Sequence, residues 1–364
     1  MISFAVIAFA IFVGIAIYAD RQVAETRQKY LMWSCIVIAL LIGLRDPNQW
    51  GDAAGYQQSF LHYTNDLTNF SFNDHIFGYS EFGFYFLGVL VKTFTDSYTI
   101  YFFFISAITF YFLYKSFDMQ CIYPLLGLCI YMGRFMVGRN NMQIRAGLAI
   151  AIIIYATVVL KEKKPWRYML WLFLAYQIHH SALVALPLYF VRNMKFNKTV
   201  IVVGIAVAFG VEWLFGGFIN DWMSTNEFVL SMARSYVEEG SEKAWRNTLA
   251  NPMIYYQIFI LFVYTFNEES LSKLTPYYYI YRNAYFYSTI LLIVLCQFAI
   301  VAARTSTIFA TFEAMMVPMF ILAFHKNNRK IPLFVIAIVY IIFFYLNWNP
   351  FEVTNLNMED TILF

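Results

Sequence analysis

Arg134, Arg139 and Arg145 stand close together in YMGRFMVGRNNMQIRAGLAI, residues 131–150, between two runs apolar enough for lipid. A guanidinium offers a planar fork of donors that matches phosphate oxygens in pairs, and it is never deprotonated in a protein. The chemistry such residues fit is the grip of a phosphate-like anion. Gly133, Gly138 and Asn140-Asn141 are expected to break the helix around Arg139, leaving backbone N–H groups free to join an anion site at a helix start. Arg45 and Arg304 likewise lie where apolar runs end. Charge at membrane depth is costly, so this set is expected to face a polar cavity and bind something anionic. The plain alternative is that these arginines snorkel to headgroups or pair with nearby carboxylates.

Two further stretches could contribute chemistry. In LRDPNQWGDAAGYQQSF, residues 44–60, Arg45 is followed by Asp46, Gly51, Asp52, Tyr56 and Phe60. The Asp-Pro and Trp-Gly pairs mark a turn, and Tyr56 and Phe60 share one helix face. Asp52 reads either as a helix N-cap or as a base. In YQIHHSALVALPLYF the adjacent His179 and His180 precede Ser181. A histidine there is either hydrogen-bonded in place or a neutral imidazole able to take a proton near physiological pH.

The elements that must position these residues are membrane helices. Only 13% of the 364 residues are charged and 61% are hydrophobic, whereas a soluble domain carries about a quarter charged residues. Repeated apolar stretches of about 20 residues can each cross a hydrocarbon core of about 30 Å. The first, ISFAVIAFAIFVGIAIYA, has no basic leader and is followed by Asp20-Arg21, so it reads as a retained span. Cys35, Cys121, Cys129 and Cys296 fall in or beside apolar stretches and read as small buried hydrophobes. No metal site, cofactor motif or nucleic-acid signature is expected.

Sixteen of the 25 Lys and Arg residues concentrate near 20–30, 112–121, 161–167, 192–198, 268–282 and 325–330, which the positive-inside rule assigns to the cytoplasm. Segments 46–78 and 219–250 then belong to the opposite face as extracytoplasmic loops. The cytoplasmic set holds ten Lys and six Arg, and the remaining nine basic residues comprise seven Arg and two Lys. Topology is indifferent to that choice, and bidentate recognition is not. Consistent sidedness needs two irregular elements: 79–94 as a helix that dips in from, or lies along, the outer face, and 167–191 as two short helices meeting at the histidines. Backbone of that kind is tolerated at depth only where it is buried in protein or lines a watery cavity. The expected fold is all-α: one transmembrane domain over 1–364, of about ten transmembrane helices plus two irregular or re-entrant hairpins.

On these residues the chain resembles the EpsG-like and Wzy-type polysaccharide polymerases of bacterial envelopes, from about residue 40 to 325. The islands that carry the resemblance are Arg45, Gly51, Asp52, Tyr56 and Phe60; Glu81, Gly83 and Phe84; Asn141, Ile144, Arg145, Leu148 and Ala149; His179, Ser181, Ala182 and Leu183; and Arg304 with Phe309. Ala146 stands where a glutamine commonly follows the family's arginine. The resemblance favours His179 over His180. It implies a multi-pass protein of the bacterial inner membrane, active at its periplasmic face on O-antigen, capsule or exopolysaccharide units. The growing glycan would pass from undecaprenyl diphosphate to the next lipid-linked repeat unit. Arg45, Arg139, Arg145 and Arg304 would bind the diphosphate, supported by Arg134, Asn141, Glu81, Tyr56 and His180. His179 would serve as base, with Asp52 the competing candidate. Trp222, Tyr236 and Trp245 are candidates either for sugar stacking or for an interfacial belt. Membrane lipid and a chain-length regulator are further candidate partners.

The competing classes are a polyprenyl-phosphate-sugar glycosyltransferase or O-antigen ligase, and a flippase. Transporters commonly have paired halves with matching broken helices, which this sequence lacks. Replacing Arg145 or Arg304 with Lys should sharply reduce polymer formation at unchanged protein level, because fork geometry is lost while charge is kept. Full activity of both variants would reduce these arginines to topology signals.

Overall fold

A backbone in lipid has no water to pair with, so each segment must satisfy its own polar groups. The chain does so with helices. A computed structural model describes residues 3–71, 81–162, 164–225 and 249–352, and every regular element among them is helical. In chain order the principal helices are α1 (Phe4–Ala19), α2 (Ala24–Gly43), α3 (Asp52–Tyr63), α4 (Phe82–Lys92), α5 (Tyr98–Gln120) and α6 (Pro124–Tyr131). A π-helical segment, Met132–Met142, continues from α6. Then follow α7 (Ile144–Lys161), α8 (Pro165–Ile178), α9 (Lys198–Thr225), α10 (Pro252–Phe266), α11 (Tyr278–Val294), α12 (Ala299–Ala310) and α13 (Lys330–Glu352). Five described stretches are long and apolar enough to cross a membrane: Tyr98–Gln120, Ile144–Lys161, Lys198–Ile219, Val301–Ala323 and Lys326–Trp348. Shorter apolar helices accompany them, including α1, α4 and α10. The molecule is an all-helical, multi-pass membrane protein.

The described residues fall into two compact units, one drawn from Met1–Tyr189 and Val317–Thr361 and the other from Phe190–Met316. In the first, α7 is the central rod. Every residue from Ala146 to Ile154 is buried, as expected of a helix that is apolar all round. Helices α5 and α8 pack on it, and α2 packs on α5. Peripheral helices are two-faced in burial although apolar throughout. In α1, Val6, Phe9, Val13 and Ala16 face protein while Ile7, Ile11 and Ile15 are exposed. In α13, Ile336, Tyr340, Phe344 and Asn347 are buried, and Ile331, Phe334, Ile338 and Ile342 are exposed. Those exposed apolar faces are what lipid solvates.

Both elements expected to be irregular are short. At about 1.5 Å per residue, the 11 residues of α4 reach only about half of a 30 Å core. Helix α8 stops at Ile178, where His179 turns extended with φ −157° and ψ 124°, and a 3-10 turn, His180–Ala185, carries the chain back. Proline marks helix starts, with Pro124, Pro165 and Pro252 in first turns, where no backbone donor is lost.

In the second unit α11 packs against α9, α10 and α12. Its buried charges are paired. Arg282, fully buried, donates to Glu268 and to the Phe196 carbonyl, each at 2.8 Å. Glu313, also fully buried, accepts from the hydroxyls of Tyr256 and Tyr285, each at 2.9 Å. All four cysteines are buried, as their positions in apolar stretches led us to expect.

The expected helix break around Arg139 takes a different form. The chain widens into a π-helix and interrupts only at Gln143, whose N–H donates five residues back to the Gly138 carbonyl at 3.0 Å. Widening keeps the backbone donors occupied, which an open loop at this depth would not. Helix α13 supports the segment. Asn347 Nδ2 donates to the carbonyls of Gly133 and Arg134 at 2.9 and 3.4 Å. At Gly133 a Cβ would lie 2.6 Å from the Tyr340 carbonyl oxygen, so only glycine permits the contact. Replacing Asn347 with Ala strips these carbonyls of a buried donor and should cost about 1–3 kcal/mol, read as a lower Tm in detergent.

Candidate functional site

The first unit brings Arg45, Arg134 and Arg139 to the π-helical segment. Arg45 follows the C-terminus of α2, where carbonyls run out of intrahelical donors. Its side chain folds back and Nη1 donates to the Ile42 carbonyl at 2.6 Å, a cation placed at the negative end of a helix. Nε donates to the Asn141 carbonyl at 3.0 Å, tying α2 to the end of the π-helix. The guanidinium lies 4.6 Å from the centroid of the Phe102 ring. Nη2 is buried without a hydrogen-bond partner, as are Asn141 Oδ1 and the nearby Gln57 Oε1 on α3.

Arg134 and Arg139 are both buried in the π-helix. They sit five residues apart, the hydrogen-bonding interval of that helix. Both guanidiniums lie over Phe135, at 5.2 and 4.8 Å from its centroid, and Arg134 also lies 5.4 Å from Phe343. Ring faces are negative, and cation–π attraction strengthens when the cation is desolvated. Asn140 accepts from the Tyr131 hydroxyl at 2.6 Å, anchoring the segment to α6. Gly147 lets α7 close on it, because a Cβ there would lie 2.8 Å from the Arg139 carbonyl oxygen.

Arg145, the second residue of α7, forms a separate node. Nη1 pairs with Glu81 Oε2 at 2.8 Å and Nε donates to the Tyr56 hydroxyl at 3.2 Å. The pair is well buried, with side-chain exposures of 13% for Arg145 and 7% for Glu81. The second Glu81 oxygen accepts from the His180 backbone N–H at 2.8 Å. Gly83 brings α4 against α8, since a Cβ there would lie 2.8 Å from the Gln177 carbonyl oxygen. Phe84 seats edge-on against Tyr56, with centroids 5.7 Å apart. One carboxylate therefore joins α3, α4, α7 and the break after α8.

At that break His179 is half-buried and His180 exposed. His179 Nδ1 accepts from the Ser181 N–H at 3.1 Å. In a neutral imidazole an accepting Nδ1 leaves the proton on Nε2. Asp52 is the first residue of α3, one turn before Tyr56 on the same face; the N-cap is Gly51, at φ +34°, a backbone conformation glycine adopts readily.

Of the expected residues, Arg134, Arg139 and Asn141 lie on the π-helix with Arg45 hydrogen-bonded to its end, and Arg145, Glu81, Tyr56, His179 and His180 form the second node. Arg304 is half-buried on α12 in the second unit. Trp222 is exposed near the end of α9, and Tyr236 and Trp245 lie outside the described residues. Sequence reading missed Asn347, for which the signal was an amide inside the apolar run YIIFFYLNWNP. It also missed Trp50, buried edge-on to Trp348 with centroids 5.3 Å apart.

A multi-pass helical membrane protein with buried arginines on a π-helix is the class that fold and geometry define. The chain belongs to the EpsG family, whose profile matches residues 28–358. That family is one of glycosyltransferase-like membrane polymerases. No curated protein and no solved structure matches the chain.

The node has a pH signature. Burial opposes the Glu81 charge, yet Arg145, His179 and the His180 amide hold its carboxyl below the usual carboxylate range. A depressed carboxyl contributes stability above its unfolded pKa and loses it as pH falls through the folded value. Thermal unfolding from pH 7 downward should therefore show a steeper acid loss in the native protein than in Glu81→Gln.

Proposed function

We propose that the protein is a Wzy-type polysaccharide polymerase of the bacterial inner membrane. It moves a growing glycan from undecaprenyl diphosphate to the sugar of the next lipid-linked repeat unit at the periplasmic face. One observation carries the reading: Arg134 and Arg139 are buried on one π-helix against an aromatic ring, and Arg45, beyond the end of α2, stacks on another ring and is hydrogen-bonded to the end of that π-helix. Such a grouping costs stability unless a multiply charged anion uses it, and a diphosphate is such an anion.

The acceptor hydroxyl forms a new C–O bond at the donor's anomeric carbon while the bond from that carbon to the diphosphate oxygen breaks. The electron pair leaves with undecaprenyl diphosphate. Guanidiniums fixed beforehand stabilise the negative charge growing on that leaving group, commonly the largest electrostatic contribution to such catalysis. Asp52 is the proposed base for the acceptor's proton, with His179 the competing candidate. Arg304 remains a candidate ligand on residue type and position at the edge of an apolar run.

Purified protein given lipid-linked repeat units should yield a ladder of products. A single addition would indicate a glycosyltransferase or ligase, and transport without chemistry a flippase. Asp52→Asn should lower the polymerisation rate by about 10²–10⁴, the usual worth of a general base, with undecaprenyl diphosphate still bound. Unchanged chain growth in that variant would remove Asp52 from the base role.

A further inference from the structure

The arginines of the first unit fall into two electrostatic kinds. Arg45 stacks on Phe102 and keeps a buried Nη2 without a partner. Arg145 spends Nη1 on the Glu81 carboxylate and Nε on the Tyr56 hydroxyl, and lies 5.4 Å from the Tyr56 ring centroid. A buried Arg–Glu pair is close to neutral as a unit. For Arg145 to grip a diphosphate, that anion would have to come beside the buried Glu81 carboxylate on a guanidinium whose charge is already matched, which is unfavourable.

The pair has another output. Glu81 accepts from Arg145 through Oε2 and from the His180 N–H through Oε1. The next peptide along, the Ser181 N–H, donates to His179 Nδ1 and so sets which imidazole nitrogen carries the proton. A connected path of short hydrogen bonds thus runs from Tyr56 through Arg145 and Glu81 to the turn that aims His179. Gly83 and Phe84 hold the carboxylate's helix against α8 and α3.

We infer that Arg145 and Glu81 are positioning residues that orient the His179 turn, and that Arg145 is not a ligand of the diphosphate. This inference rests on the polymerase reading. It reassigns a residue whose type and position alone suggest an anion ligand.

The test separates binding from turnover. Binding is measured with undecaprenyl diphosphate in detergent micelles, and turnover with lipid-linked repeat units extracted from a host that cannot polymerise them. Arg45→Gln should weaken undecaprenyl diphosphate binding at least about tenfold, the effect of losing roughly one charged hydrogen bond. Glu81→Gln and Arg145→Gln should leave that binding within about twofold while lowering kcat at least about tenfold, with KM for the lipid-linked donor unchanged. The Glu81→Gln/Arg145→Gln double variant should be no slower than the slower single variant, because the two act as one unit. If either charge variant fails to fold, Tyr56→Phe, which deletes one hydroxyl, should give the same split in milder form. Binding lost in Arg145→Gln or Tyr56→Phe as severely as in Arg45→Gln overturns the inference, as does full turnover in Glu81→Gln. A native protein that makes no polymer overturns the polymerase reading instead.

Discussion

A guanidinium drawn out of bulk water keeps its charge, so the protein around it must supply electron density. That requirement organises the first unit. Arg45 is met by a ring and by two carbonyls that end helical segments. Arg134 and Arg139 share the face of Phe135. Arg145 is met by a carboxylate and a phenol. Arg45 and Arg145 take their partners from distant parts of the chain, Phe102, Asn141, Glu81 and Tyr56, which brings α2, α3, α4, α5 and α7 together here. The cost of isolated charge in lipid is several kcal/mol or more, enough to dictate which helices may separate and which may not.

The π-helix follows from the same constraint. A loop would have given Arg134 and Arg139 freedom, but its backbone would then need water. An α-helix would have turned residues five apart to opposite sides. A π-helix satisfies the backbone and sets positions five apart on nearly one face, so two guanidiniums can approach the same ring. The glycines at 133 and 147 serve the close approach of α13 and α7 to this wide segment, where a Cβ would meet backbone oxygen. Backbone does not yield as a flexible side chain would. The wide helix is therefore held from two sides.

The two short elements complete the frame. Helix α4 is too short to span, and its value lies in its first residues, with Glu81 at the N-cap position and Gly83 against α8. Helix α8 ends where His179 becomes extended, freeing the His180 amide for Glu81. Neither end is capped by its own local sequence in the usual way. The Glu81 carboxylate at the start of α4 takes the His180 N–H beyond the end of α8, so the geometry at His179 depends on two segments nearly a hundred residues apart.

The sequence by itself determined the all-helical, lipid-solvated character, because composition and the length of apolar runs decide the solvent without reference to neighbours. It also marked the short elements at 79–94 and 167–191, since sidedness is additive over local charge, and it singled out Arg45, Arg145, Tyr56 and His179 by type and position, with Glu81 added through the family resemblance. What it could not decide was partnership. Whether Arg145 meets a phosphate or Glu81, whether the glycines near Arg139 open the helix or widen it, and which nitrogen of His179 holds the proton all depend on groups distant in the chain. Only tertiary structure brings those groups within hydrogen-bond range. A charge interacts with whatever lies a few ångströms away, and chain order does not record that distance.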